Sequence, residues 1–369
     1  MTREFWKGNE AFAEAAVRAG LQAYFGYPIT PQTEALEYMS HRMPELGRAF
    51  LQAESELGAI NMVYGAACTG ARVMTSTSGP GTSLMVEGLS YIAATEVPMV
   101  LVDVVRGGPG LGNIVPSQQD YNQMVHGGGH GDYHQIVLAP ASVQETVDIT
   151  YNMFDLAEKY LTIGVVMIDG SIGQMMEPAE MPPMLEIKKD IPDWAVRGGK
   201  DRRVKTSIYF AAEDMEKTNL RMMRRWQQIE KDEVRYKEYF MDGAKIAVVG
   251  YGSAGRIALS AVRTARSQGI PVGLIRPISL SPFPKQLIRE ISEQVDSILV
   301  VEMNTGMMLE DVLSAVQGKT HVEFYGRSGG VIPFPGEILK EIERISKEPH
   351  KDGRHPRDLW LKRMESISV

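Results

Sequence analysis

Two carboxylates, Glu54 and Glu56, stand where an apolar segment gives way to a helical run of small residues, Gly58-Ala59-Ile60-Asn61-Met62-Val63-Tyr64-Gly65-Ala66-Ala67. A carboxylate that points from such a helix start into a cleft can share a proton with a ring nitrogen of a bound cofactor, and Glu56 is the candidate for that role. The competing reading is a plain helix-start acid favoured by the macrodipole, which suits Glu54. Further on, Ser76-Thr77-Ser78-Gly79-Pro80-Gly81-Thr82-Ser83 follows a strand-like run and precedes an apolar helical one. Its N–H groups and hydroxyls could meet an anion or a cofactor edge, or could form only a tight turn with a helix cap.

Arg106 closes an apolar strand and is followed by Gly107, Gly108, Gly110 and Gly112. That backbone freedom lets chain and ligand come close, so the guanidinium is placed to fork onto a small carboxylate. The alternative is an arginine salt-bridged at a subunit interface. His126, His130 and His134 lie in a Gly-rich stretch. The glycines remove the helix that regular histidine spacing would need, so no metal is expected here. His130, beside Asp132, is a candidate for polar contact with substrate instead. Gly250-Tyr251-Gly252-Ser253-Ala254-Gly255 lies between a strand and a helix, the setting of a dinucleotide fingerprint, but the next strand ends in Arg276-Pro277 rather than an acid. This argues against NAD and leaves an NADP site or a simple tight turn.

These residues need a frame that gathers strand ends. Helical periodicity over 9–19 leads into an apolar run at 23–27 and then the turn Pro28-Ile29-Thr30-Pro31. Strand-like runs recur at 71–75, 97–105, 135–138 and 162–168, with a helix over 143–159, an alternation that implies a parallel sheet covered on both faces. Pro178, Pro182, Pro183 and Pro192 mark a connector, and a charged helical pattern follows over 217–240. A second alternation places strands at 245–250, 272–275, 297–302 and 322–325 and helices at 256–268, 285–294, 309–317 and 336–346. The expected layout is a first domain over 1–180, a linker with the charged helix over 181–242, a smaller α/β domain over 243–347 and a C-terminal arm over 348–369 suited to packing on a partner.

Composition narrows the function classes. With 369 residues, 44% of them hydrophobic, and a net charge of -7, the chain is long enough for two cores and offers no basic footprint for nucleic acid or anionic membrane. Cys68 is the single cysteine, so the chain alone builds neither a disulfide nor a cysteine-held cluster, and a small buried hydrophobe is expected there. No run approaches a membrane span and the N-terminus lacks a signal-peptide core, which makes the cytoplasm the expected location. The 22 methionines fall mostly singly inside apolar runs, as gap fillers do.

Read in order, Tyr27-Pro28-Ile29-Thr30-Pro31, Glu54-Ser55-Glu56, Thr77-Ser78-Gly79-Pro80-Gly81, Arg106-Gly107-Gly108-Pro109 and His130-Gly131-Asp132 resemble the alpha subunit of the 2-oxoacid:ferredoxin oxidoreductases. The branched-chain (2-oxoisovalerate) type matches best and the 2-oxoglutarate type next. The resemblance covers nearly the whole chain, through Leu274-Ile275-Arg276-Pro277-Ile278 and Pro282-Phe283-Pro284. It implies an α/β fold in which a thiamine-diphosphate pyrimidine-binding parallel-sheet domain precedes a smaller transketolase-C-like domain. By position, it makes Glu56 the acid on N1′ of the pyrimidine, where protonation favours the 4′-imino form. It places Thr30 and Arg106 on the 2-oxoacid carboxylate and Pro28 in the loop against the cofactor. After Arg106 the chain reads Gly-Gly-Pro-Gly-Leu-Gly where many 2-oxoglutarate-type chains have Gly-Gly-Pro-Ser-Thr-Gly, which leans the substrate towards branched-chain acids.

The resemblance also implies what partners bring. Thiamine enzymes hold the diphosphate and its magnesium with Gly-Asp-Gly followed by Asn-Asn, and this chain has no such pair. A beta subunit is expected to supply the diphosphate site, Mg2+ and an iron-sulfur cluster, a gamma subunit to help bind coenzyme A, and a ferredoxin-like delta subunit to carry further clusters. The implied reaction converts a 2-oxoacid, coenzyme A and oxidised ferredoxin to acyl-CoA, CO2 and reduced ferredoxin, and is open to running in reverse. The alternatives are a non-catalytic scaffold or regulatory subunit of such a complex and an NADP-binding oxidoreductase acting through Gly250 to Gly255.

Overall fold

The computed structural model describes residues 3–187, 190–348 and 353–365. The first half runs β1 (Glu4–Lys7), α1 (Gly8–Arg18), β2 (Ala23–Gly26), α2 (Thr33–Glu45), β3 (Ala49–Gln52), α3 (Glu56–Cys68), β4 (Val73–Thr77), α4 (Pro80–Ala94), β5 (Met99–Val105), α5 (Tyr121–Val125), β6 (Ile136–Leu138), α6 (Val143–Tyr160), β7 (Ile163–Asp169), α7 (Gly170–Gln174) and β8 (Met176–Ala179). The apolar runs of β5 and β7 are buried along their whole length, as parallel strands between two helical layers must be. They sit in the middle of a parallel array ordered β6, β7, β5, β4, β2, β3. Helices α1, α2 and α6 share one core, while α3 and α4 pack on each other in another. Glycine makes that second contact close: a Cβ on Gly88 of α4 would stand 2.7 Å from the Ile60 side chain of α3.

Beyond the connector, α8 (Ala212–Asp232) lies on the first half and buries Trp226 and Ile229 with Phe154 and Tyr160. The second half comprises β9 (Tyr236–Tyr239), β10 (Ile246–Val249), α9 (Gly252–Ser267), β11 (Val272–Pro277), β12 (Ser279–Ser281), α10 (Lys285–Ser292), β13 (Ser297–Glu302), α11 (Met307–Val316), β14 (His321–Gly326), α12 (Pro335–Lys347) and α13 (Pro356–Glu365). Its sheet runs β14-β13-β10-β11-β9, with only β9 antiparallel. The two halves are laced together rather than joined by a tether: β12 leaves the second half and pairs antiparallel with β6 at the edge of the first sheet. One continuous apolar core runs from α3 and α4 into β10, β11 and β13.

Three segments differ from the sequence expectation. The charged pattern over 217–240 predicted one helix, yet the helix stops at Asp232 and Tyr236–Tyr239 extends as β9. Arg235 donates its N–H to Ser279 Oγ (2.8 Å) and accepts from Ile278 N (2.9 Å), and pairing with β11 then closes an edge that a helix would leave open. The connector begins in β8, which pairs with β1 at the N-terminus. The arm expected on a partner contains α13, which docks on its own chain: Trp360 Nε1 donates to Gly326 O (3.0 Å) and Arg357 Nε to Thr305 O (2.8 Å). Residues 349–352 and 366–369 of that arm lie outside the described residues. No helix among the described residues is long and apolar enough to cross a membrane.

Candidate cofactor and substrate site

In an open parallel sheet, ligands dock at the carboxyl ends of the strands. Here the loops after β2, β4 and β5 converge there with the start of α3. Ser55 caps that helix, its Oγ accepting from Gly58 N (3.1 Å), so Glu56 becomes the first helical residue. Glu56 is buried, with 5% of its surface exposed, whereas Glu54 faces solvent. Its carboxylate rests against the start of α4: a Cβ on Gly81 would collide with Thr77 Oγ1 and come within 2.5 Å of Glu56 Oε1. One residue before Pro80, Gly79 has φ +46, a conformation that favours glycine, and the aliphatic stem of Arg106 crosses it.

Arg106 is buried, and its guanidinium ties two loops together. Its two terminal nitrogens donate to Thr30 O (2.8 Å) and Leu111 O (3.0 Å), while Nε has no partner. Each terminal nitrogen keeps one further N–H. Around it the Thr30 side chain is exposed, Pro28 is half-buried, and the apolar side chains of Leu111 and Ile114 project outward. The Pro28–Thr30 loop is held from beneath by residues the sequence reading passed over. Gln32 Nε2 donates to Tyr27 O (3.1 Å) and its Oε1 accepts from Ser76 Oγ (2.7 Å), while Asn9 and Gln174 both donate to Pro31 O (2.6 and 2.7 Å). Isolated amides and hydroxyls carry no pattern that would have marked them.

Two buried acids lie under the Gly79 turn. Thr82 Oγ1 donates to Asp103 Oδ1 (3.1 Å), Gly79 N to Asp120 Oδ2 (3.2 Å) and Gln123 Nε2 to Asp120 Oδ1 (2.7 Å). Burial pushes Asp103 well above the ordinary carboxylate range, and the charge of Asp120 adds to that. Burial also pushes Asp120 up to about 6, opposed by Gln123, Gly79 N–H and Arg106. A lone acid inside the apolar strand Met-Val-Leu-Val-Asp-Val-Val was the signal that could have found Asp103. Thr75 Oγ1, Thr77 Oγ1, Ser78 Oγ, Asp103 Oδ2 and Arg106 Nε, all at or near these strand ends, are buried without partners. Such clustering suits a polar ligand, because buried polar groups are otherwise satisfied.

The three-histidine loop goes elsewhere. Gly128 and Gly129 lie against Val86 and Ser90 of α4, roughly 8–13 Å along the helix from Gly81 at 1.5 Å per residue. His126 reaches Asp311 (3.1 Å), His134 stacks on Trp226 with centroids 4.7 Å apart, and His130 is exposed. The glycines carry the loop that bears His130 along α4 towards α8. There it walls a cleft of about 870 Å³ with Met215, Met222 and Trp226. Among the described residues, no group of three or more His, Cys, Asp or Glu is arranged to hold a metal ion. Cys68 is half-buried, and burial pushes its thiol up.

The glycine turn after β10 is filled from within. The N–H of Ser253 donates to Asp169 Oδ2, and Gln118 Nε2 donates to Tyr251 O (3.0 Å). Residues 250–255 are all buried. Arg276, which could have read a 2′-phosphate, is buried too and donates to Glu145 Oε1 (2.6 Å). The anion that this helix start would attract is already part of the protein, so the NADP reading has no room.

Residues 14–240 match the family model for pyruvate flavodoxin/ferredoxin oxidoreductase, thiamine diphosphate-binding, and residues 244–344 match that for pyruvate:ferredoxin oxidoreductase core domain II. Ketoisovalerate oxidoreductase subunit VorB of Methanothermobacter marburgensis is 47% identical over 94% of this chain and 99% of its own length. The 2-oxoglutarate synthase subunit KorA of the same organism is 38% identical over 93% and 99%. Among solved structures, 2-oxoglutarate:ferredoxin oxidoreductase from Magnetococcus marinus with 2-oxoglutarate, coenzyme A and succinyl-CoA bound superposes with a TM-score of 0.85 at 25% identity. That match covers 94% of this chain and 65% of the longer one. An inactive split-gene transketolase shares the fold, with a TM-score of 0.58 at 12% identity.

Proposed function

The chain belongs to the 2-oxoacid:ferredoxin oxidoreductase family, and we propose that it is the subunit of such a complex that supplies the pyrimidine-activating acid and the carboxylate-holding arginine for oxidative decarboxylation of a branched-chain 2-oxoacid. The observation that carries this reading is the carboxylate of Glu56, buried at a capped helix start and touching the start of α4 only because residue 81 is glycine. Thiamine diphosphate, when bound, supplies the carbon nucleophile and the electron sink of the reaction. Glu56 would share a proton with the pyrimidine nitrogen N1′, its carboxylate held by the start of α4. Pro28, in the loop after β2, would lie against the cofactor.

Arg106 and Thr30 bind the substrate carboxylate. The guanidinium has one N–H left on each terminal nitrogen, and its bond to Thr30 O ties the threonine backbone to it. Leu111 and Ile114, exposed on the same loop, offer the apolar surface that a branched side chain needs. Partner subunits supply the diphosphate site, Mg2+ and iron-sulfur clusters, with coenzyme A and ferredoxin as co-substrates; one cysteine in the chain supports that division.

In the purified complex, Glu56→Gln is expected to lower turnover by about 10²–10⁴-fold, the usual worth of a positioned acid, with assembly unchanged by size-exclusion chromatography. Near-normal turnover in an intact complex would return the chain to a scaffold role.

A further inference from the structure

We propose that Asp103 and Asp120 form a carboxyl pair that keeps one proton between them and positions the Gly79-Pro80-Gly81 turn, and through it Glu56 and Arg106. The proposal rests on the roles given above to Glu56 and Arg106. That turn is the surface both groups lie on: the Arg106 stem crosses Gly79, and the Glu56 carboxylate meets Gly81. Both acids lie under the start of α4: Gly79 N donates to Asp120 Oδ2 (3.2 Å), and Thr82 Oγ1, in the first turn, donates to Asp103 Oδ1 (3.1 Å). Movement of Gly79 therefore moves the floor of two contacts together.

Two anions do not fit this space. Asp103 is wholly buried in the middle of the sheet and its Oδ2 has no partner. Arg106 donates to neither acid: its terminal nitrogens bond Thr30 O and Leu111 O, and its Nε has no partner. A proton on Asp103 Oδ2 removes the like-charge repulsion, and the negative charge then stays on Asp120. Asp120 is the better anion because the Gln123 amide and Gly79 N–H both donate to it and the Arg106 charge favours it. The charge also sits at the start of α4, where the helix dipole welcomes it.

The other titratable groups facing this space are Glu56 across the turn and the Tyr251 phenol at the start of α9, which Asp169 and Glu302 also approach. Among these groups Arg106 alone brings a positive charge, and it favours a single negative charge, on Asp120. Amides would fill the same volume without this constraint. A carboxyl pair adds a turn whose geometry depends on protonation, being held when Asp120 is charged and released when the second proton binds.

The assembled complex tests this in two ways. In infrared difference spectra at pH 8, wild type minus Asp103→Asn should show the carbonyl band of a protonated buried carboxylic acid. Its absence would overturn the proposal whatever the activity of Glu56 variants, so the two readings fail separately. In steady-state assays, the 2-oxoacid KM of the wild type should rise as pH falls through about 6. Asp120→Asn should raise KM at pH 8 at least tenfold more than Asp103→Asn does and should abolish that pH dependence. Equal losses in the two variants with an unchanged pH profile would show packing alone, and would overturn it. The wild-type profile stands as a test even if Asp120→Asn fails to assemble: a KM flat from pH 8 to 5 contradicts the pair.

Discussion

Two turns of this molecule join a parallel strand to a helix through glycines with positive φ, and they end up opposite in character. After β10, the turn at Gly252 is closed: Asp169 occupies the helix start, Gln118 takes the Tyr251 carbonyl, and the whole segment joins the two halves. After β4, the turn at Gly79 is unfinished: hydroxyls of Thr77 and Ser78 have no partners, Glu56 faces it, and Arg106 keeps unspent N–H groups. The same backbone device serves as a joint in one place and as the floor of a site in the other. What separates them is whether the surrounding side chains have already used their donors and acceptors.

Substitutions at one glycine of each segment, Gly81 and Gly252, break the comparison most sharply. Gly81→Ala would drive a methyl into Thr77 Oγ1 and Glu56 Oε1. A displacement near 1 Å at a reacting group costs about 10²-fold, so turnover of the complex should drop by that order while its melting temperature changes little. Gly252→Ala should do the reverse, because both its φ of +51 and the Asp169 carboxylate oppose a side chain. We expect a loss of about 2–4 kcal/mol in stability, read by denaturant unfolding, and an unchanged KM in whatever folded complex remains.

Arg106→Ala sharpens the contrast from the substrate side. Losing a hydrogen bond to a charged group costs about 1.5–3 kcal/mol, which predicts a 2-oxoacid KM raised about 10- to 100-fold, with a smaller change in kcat. A complex that assembles poorly but binds substrate normally would make Arg106 an interface residue instead.

The smallest effect concerns the joint. Burial pushes Asp169 up to about 6 and Glu302 up to about 7, the latter despite donation from Met308 N and Leu309 N. Both folded values lie above those of the unfolded chain, so between the ordinary carboxylate range and about pH 7 the folded state binds more protons. Its stability therefore falls as pH rises through that window and levels off above it. Thermal melting should accordingly rise by a few degrees on going from pH 8 to pH 5.5, and Asp169→Asn should reduce that rise.

Much of the frame was legible because parallel strands buried on both faces read as continuous apolar runs, as β5, β7 and β13 do. The segment from Tyr236 to Tyr239 was not, since its polar residues read as helix until β11 offers an open edge. The strand exchange at Ser279–Ser281 carried no signal, as three residues cannot declare which sheet they join. In the site, Glu56 and Arg106 stood out by their small-residue and glycine surroundings. The amides of Asn9, Gln32 and Gln174 did not, because their work is set by the tertiary placement of carbonyl oxygens. Asp103 could have been found: an acid in an apolar strand is too costly to be accidental. For His130, proximity in sequence to glycines and Asp132 carried no information about where its loop would lie, which is along α4.

The most direct measurement is the rate of hydrogen–deuterium exchange at C2 of thiamine diphosphate bound to the purified complex, by quench and NMR, for wild type and Glu56→Gln. It reads the acid's effect on the cofactor without needing substrate turnover. The account predicts exchange slowed by about 10²-fold or more in the variant, with cofactor still bound and the complex intact. Equal exchange rates in the two would contradict it.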